Sequence, residues 1–197
     1  MGDFKALPPM IYIVGAQCTG KTTLVDALLE YFCRPKNQTW EDGIPQPFAI
    51  KEVARNVLKE HNFSAFDITS LPTRALELQK LILEAQYRAE NTARGWYISD
   101  RSAIDPIVHT KVFMCRGLVF VCEPNPDWLL DDGVRLMPTS WEDWRRFHQV
   151  FCQSLEEQGI PHEILSGKLS VEDRTARVIQ SILQARKANG AVTIKEF

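Results

Sequence analysis

The amino-acid sequence predicts an α/β fold in which a five-stranded parallel sheet carries helices on both faces. Three observations predict it. Short apolar runs alternate with helix-periodic segments, the first run opens directly onto a glycine-rich turn, and 197 residues suffice for one ordinary core but would make two thin ones. Residues 10–14 are consecutive apolar side chains of mostly β-branched and aromatic type, followed by Gly15, which is the pattern of a parallel strand buried on both faces. Helical spacing follows at once, with Leu24, Ala27, Leu28, Tyr31 and Phe32 on one face of a helix over 21–32. A second short strand is predicted over 48–51 and a brief helix over 53–61. Ser70 is expected to cap a long helix reaching Thr92, with Ala75, Leu78, Leu81, Ile82 and Ala85 as its apolar stripe and Gly95 as its stop. Residues 96–99 and 117–121 supply the third and fourth strands, with a helix at 107–113 between them. Thr139 and Ser140, each three residues ahead of Glu142 or Asp143, double the capping-box signal of a helix that runs to Glu157 and stops at Gly159. Residues 162–165 give the fifth strand, and Ser170 with Asp173 opens a last helix to Lys187. Residues 189–197 read as a loose tail, so that 1–197 form a single domain.

Composition narrows the function. With 45% apolar and 24% charged residues and no repeat or low-complexity stretch, the chain has the make-up of a soluble globule. A formal charge of −2 argues against nucleic acid as the main partner, because a polyanion calls for clustered excess Lys and Arg. Small-ligand chemistry fits better. Cys18, Cys33, Cys115, Cys122 and Cys152 are scattered without the close pairs of a zinc site or a disulfide framework, and read as free thiols. Asp3, Lys5 and the Pro8-Pro9 pair interrupt what would have to be the apolar run of an export signal. Gly2 raises myristoylation, but Ala6 stands where that pattern wants Ser or Thr, and no run approaches membrane-spanning length. The expectation is a cytoplasmic protein with no membrane association; a homodimer is compatible with the sequence.

Gly15-Ala16-Gln17-Cys18-Thr19-Gly20-Lys21-Thr22 satisfies G-x-x-x-x-G-K-[ST] directly after a strand and directly before a helix, the context that this phosphate-binding loop requires. Gly15 and Gly20 let the backbone curl, so that its N–H groups and the positive end of the helix dipole face an anion. Lys21 is placed to neutralise β- and γ-phosphates, and the Thr22 hydroxyl to bind Mg²⁺. With Thr23 just behind it, this P-loop is the expected binding site for ATP with Mg²⁺.

Other candidates surround it. Asp100-Arg101-Ser102 closes the third strand, and a carboxylate at the C-terminal edge of a parallel sheet points to the ligand crevice. Asp100 is therefore the second metal candidate, and Arg101 could reach a phosphate or substrate oxygen; a plain turn-capping role for Asp100 stays open. Glu52-Val53-Ala54-Arg55 ends the second strand in the same way, which places Glu52 to accept a proton from an acceptor hydroxyl. Negative charge at a helix start would explain Glu52 equally. Residues 124–147 form a long, Pro-containing candidate lid bearing Arg135, Arg145 and Arg146, arginines that closure would bring onto the transferring phosphate, unless they are surface charge only. Asp131-Asp132-Gly133 could position that lid. Gln79 and Gln86, seven apart on the long helix, could read a base edge or could equally be solvated. His61, His109, His148 and His162 lack metal-ligand spacing and read as structural, while Cys18, beside a helix N-terminus, could be oxidisable.

No [NT]-K-x-D run for guanine follows a later strand, Thr110-Lys111-Val112-Phe113 lacking the Asp, and the chain has no room for the extra helical domain of a ring ATPase. Over about 10–187 the sequence resembles the ribosylnicotinamide-kinase domain of NadR-type proteins and the related small AAA-labelled P-loop family. The resemblance rests on the P-loop, on Glu52-Val53-Ala54-Arg55, on Trp128 with Asp131-Asp132-Gly133-Val134-Arg135, and on Arg145-Arg146. Asp100-Arg101-Ser102 is similar instead to the D/E-R-S motif of deoxynucleoside kinases and the D-R motif of thymidylate kinases, and Gln17-Cys18-Thr19 stands where the NadR-type loop has Glu-Ser-Ser. The acceptor is left open by these departures. The resemblance implies a three-layer P-loop NTPase fold with sheet order 2-3-1-4-5, and γ-phosphoryl transfer from ATP with Mg²⁺ to a nucleoside-like or riboside hydroxyl. Alternatives are an NTPase switch acting on a protein partner, a phosphate-binding module without catalysis, and a polynucleotide 5′-kinase, the last opposed by the acidic balance.

Overall fold

Strand β1 (Ile11–Val14) is buried along its whole length, as an apolar run with no polar alternation requires, and it lies at the centre of the sheet. In this computed structural model, which describes residues 8–16, 18–33, 44–51, 53–100, 117–128 and 140–192, β2 (Phe48–Ile50), β3 (Tyr97–Asp100), β4 (Leu118–Cys122) and β5 (Glu163–Leu165) complete it. All pairings are parallel and the order is β2-β3-β1-β4-β5, the order that the resemblance implies. The register sets Asp100 opposite Ile13, and Val121 opposite Val14. The loop leaving β1 and the carboxylate ending β3 thus emerge side by side at the edge where parallel sheets bind ligands.

Alternate residues of β1 face opposite layers, and each layer has its own core. Ile11 and Ile13, with Ile98 and Phe120, pack against Leu24, Leu28 and Phe32 of α1 (Lys21–Cys33) and against Val178 and Ile182 of α6 (Val171–Val192). Tyr12 and Val14, with Tyr97, Val119 and Val121, pack on the other face. There they meet Val53 of α2 (Val53–Glu60), Ala89 of α4 (Pro72–Thr92), and Cys152 and Leu155 of α5 (Trp141–Glu157). Each large aliphatic side chain so buried contributes about 1.5–3 kcal/mol, which makes this three-layer sandwich the dominant favourable term. No helix among the described residues is long and apolar enough to cross a membrane.

Most boundaries fall within one residue of expectation, and two regions differ by more. A short helix, α3 (Ala65–Ser70), precedes α4, and its start carries a full capping box: Ser64 Oγ accepts from the Asp67 N–H at 3.2 Å and Asp67 Oδ2 accepts from the Ser64 N–H at 2.8 Å. Ser70 therefore ends a helix and does not cap one. The break has a steric cause, because Pro72 at the start of α4 excludes helical backbone from the residue before it, and Leu71 is extended at φ −121° and ψ 91°. At the other end α6 continues to Val192, so residues 189–192 are helix and not loose tail, while 193–197 lie outside the described residues. Ser140 caps α5 as expected, accepting from the Asp143 N–H at 3.1 Å, and Thr139 lies outside the described residues, as does the helix expected at 107–113.

Candidate functional site

Between β1 and α1 the chain must reverse within a few residues while passing close to β4. Gly15 allows the approach: its φ is +129°, and a Cβ there would lie 2.7 Å from the Cys122 carbonyl oxygen. Cys18 is left-handed without being glycine, at φ 54°, a conformation costing about 1–2 kcal/mol. Its side chain is buried with Ala16 against Trp144 of α5, with Trp141 packed alongside. The loop is further closed by the Thr19 hydroxyl, which donates to the Ala16 carbonyl at 2.9 Å. Lys21, only 5% exposed, donates its ammonium to the same carbonyl and to Thr19 Oγ1 at 3.4 Å. An ammonium held over this loop, beside the positive end of the α1 dipole, concentrates positive potential on one small concavity.

Thr22 and Asp100, 78 residues apart in sequence, meet there. The Thr22 hydroxyl donates to Asp100 Oδ2 at 2.6 Å, and Asp100 is 2% exposed. A carboxylate and a hydroxyl so close form an oxygen donor set of the kind that Mg²⁺ takes together with phosphate oxygens and water. The residues fit the ion.

The far side of the loop is walled by Arg174, to which the sequence assigned no role, and by Trp128, which carries part of the family resemblance and lies within the candidate lid. Arg174, in the first turn of α6, donates Nη1 to the Thr19 carbonyl at 2.8 Å, and its guanidinium carbon lies 4.5 Å from the Trp128 ring centroid. Burial pulls this guanidinium below the ordinary arginine value, and Cys122 and Glu123 pull it partly back. Burial also resists ionisation of Glu123, but N–H donation from Gly167, the Ser166 hydroxyl and nearby positive charge outweigh it and hold the carboxyl below its usual value. One signal could have found Arg174. It stands four and eight residues ahead of Val178 and Ile182, both fully buried, so the helical period puts a charge on the apolar face.

Of the other sequence candidates, Thr23 is exposed at the start of α1, and Arg145 and Arg146 are exposed on α5, directly after buried Trp144. Gln17, Glu52, Arg101 and Arg135 lie outside the described residues, as do Asp131-Asp132-Gly133, His109 and Cys115. Gln79 is solvent-exposed. Gln86 is 3% exposed and turned into the protein, donating to Ser99 Oγ at 3.0 Å and to Glu90 Oε1 at 2.7 Å, which removes it from any base-reading role. Beside it the Tyr12 and Tyr97 hydroxyls meet at 2.5 Å. Burial raises the Glu90 carboxyl and takes the Tyr97 phenol up to about 12. Cys18, Cys33, Cys122 and Cys152 are free thiols, as expected.

Solved structures share this arrangement of elements. A shikimate kinase from Aquifex aeolicus superposes with a TM-score of 0.56 at 17% identity, covering 87% of this chain and 95% of that one. One from Acinetobacter baumannii in complex with shikimate gives 0.59 at 14% identity, covering 92% and 96%. A deoxyadenosine kinase from M. mycoides with dCMP and dCDP bound gives 0.63 at 12% identity, covering 89% and 99%. The likeness is one of fold, the three-layer P-loop kinase fold. No curated protein matches the chain significantly. The family model described as an AAA domain matches residues 10–174, from the strand that feeds the P-loop to the arginine that braces it. The chain belongs to the AAA domain family.

Proposed function

We propose that the protein is an ATP- and Mg²⁺-dependent phosphotransferase whose acceptor is the hydroxyl of a small nucleoside-like or riboside molecule. The observation that carries this reading is the 2.6 Å contact of Thr22 with Asp100 beside Lys21 on the P-loop, a metal-and-phosphate arrangement in a fold shared with small-molecule kinases. Lys21 neutralises the β- and γ-phosphates, and Thr22 and Asp100 hold the ion. Bound there, Mg²⁺ supplies charge neutralisation to the phosphate oxygens. Glu52 takes the acceptor's proton as its oxygen attacks the γ-phosphorus and the bond to ADP breaks. Arg101, Arg135, Arg145 and Arg146 are the reserve of positive charge for the equatorial oxygens, and water exclusion lets the acceptor outcompete hydrolysis.

The test is a panel of nucleosides, ribosides and shikimate incubated with ATP and Mg²⁺, read by ADP release and by mass spectrometry of products. The expected outcome is one acceptor class that stimulates ADP release and gains a phosphate. A panel that never yields a phosphorylated product, while a protein partner accelerates hydrolysis, replaces the kinase with an NTPase switch.

A further inference from the structure

Arg174 is the most deeply buried charged side chain among the described residues, at 1% exposure. Desolvating a guanidinium is costly unless its donors are taken up, so its partners indicate what it is for. They are main-chain carbonyls of three separate segments. Nη1 holds Thr19 in the P-loop at 2.8 Å, Nε and Nη2 hold Ser166 after β5 at 3.1 and 2.8 Å, and Nη2 reaches Glu123 at the end of β4 at 3.4 Å. Glu123 ties the same loops from its side chain, Oε2 accepting from Ser166 Oγ at 3.0 Å and from the Gly167 N–H at 2.9 Å. Against the guanidinium lies Trp128, whose ring also covers the P-loop: a Cβ on Gly20 would stand 3.1 Å from Trp128 Cζ3.

The geometry points to Arg174 as a positioning residue that, backed by Trp128, locks the peptide between Thr19 and Gly20. In a trans peptide the carbonyl and the following N–H point in opposite directions. Holding the Thr19 carbonyl toward α6 therefore turns the Gly20 N–H away from α6. This is the peptide most in need of a lock, because Gly20, at φ +76°, offers little steric resistance to a flip, and a flip would replace a donor by a carbonyl oxygen. A planar fork spreads its donors over three nitrogens and reaches carbonyls of three segments, whereas an ammonium carries its three donors on one nitrogen, on which all three carbonyls would have to converge. The phosphate consequence rests on the phosphotransferase reading; the lock itself does not.

Two measurements separate these. Amide hydrogen exchange of ligand-free protein reads the lock without any nucleotide, and calorimetry with inorganic tripolyphosphate reads its consequence. Arg174→Lys and Arg174→Met are both expected to speed exchange in peptides covering 15–21 while sheet peptides stay protected, and to weaken tripolyphosphate by about tenfold or more. Wild-type exchange in both variants overturns the proposal. So does a Lys variant that matches wild type while the Met variant fails, since charge and not the fork would then be at work. If neither variant folds, Trp128→Leu decides: faster exchange at 15–21 supports the lock, and unchanged exchange overturns it. A wild-type protein that binds no tripolyphosphate at all counts against the phosphotransferase reading, with exchange still deciding the lock.

Discussion

Asp100 and Gly15 show how much a single position can hold in this site. Asn at position 100 keeps an oxygen that can accept from the Thr22 hydroxyl, so the local fold survives while the carboxylate charge proposed to hold Mg²⁺ is lost. Asp100→Asn is therefore expected to lower Mg²⁺-dependent turnover by about a hundredfold, with ATP affinity in EDTA changed far less. Parallel loss of both, measured by steady-state rates and calorimetry on folded protein, would return Asp100 to a capping role. Gly15 is constrained from the other direction. Ala there must adopt φ +129° and place its methyl 2.7 Å from the Cys122 carbonyl, so Gly15→Ala should destabilise the protein by about 3 kcal/mol or more in urea unfolding. A variant with an unchanged midpoint would mean that the loop relaxes without cost. These two residues were legible because each belongs to a contiguous string, the P-loop or the end of an apolar strand. Arg174 was not, because its tie to Thr19 spans 155 residues and exists only once three loops have met.

Among elements, the strands were the most readable, since a strand buried on both faces cannot alternate and leaves a continuous apolar run such as 11–14 or 118–122. Helix starts were less so. The capping box at Ser64 and Asp67 and the break at Pro72 compete with Ser70 for the same start signal, and the steric demand of proline on Leu71 decides between them. Gln86 shows the limit of face arguments: seven residues from Gln79 on the long helix, it reads from sequence as a base reader or as solvated, and only the tertiary structure shows that Ser99 and Glu90 occupy its amide. At α5 the cap has a functional neighbour, because the turn that Ser140 starts carries Trp144 onto Ala16 and Cys18. Ser140→Ala should cost about 1 kcal/mol of stability, seen as a lowered Tm, and should weaken ATP binding with it. An unchanged Tm would show that the indole packing alone sets the start of α5.

For the molecule as a whole, two carboxyls give stability opposite dependences on pH. Burial raises Glu90 above the ordinary 4.5, so the native state binds that proton more tightly than the unfolded chain, and stability falls as pH climbs from 4.5 through the raised value. Glu123 is lowered from 4.5, and its contribution is present above that value and lost as pH falls through the lowered one. Gln at position 90 can still accept from Gln86, so Glu90→Gln should gain stability over wild type as pH climbs above 4.5 and flatten that limb of the urea-midpoint profile. A variant that tracks wild type across this range would show that Glu90 titrates as a solvated carboxyl. The distribution of tryptophan has a different consequence. Of the five in the chain, Trp128 covers Gly20, Trp144 buries Ala16 and Cys18, and Trp141 packs edge-on to Trp144 at 5.6 Å. Trp96 is held against Phe32 in the core, and Trp40 lies outside the described residues. Indole emission responds to nearby charge, so the P-loop sits within its own optical reporter: a triphosphate arriving there changes the intrinsic fluorescence without any dye, and replacing Trp128 or Trp144 singly resolves which side of the loop the anion has reached.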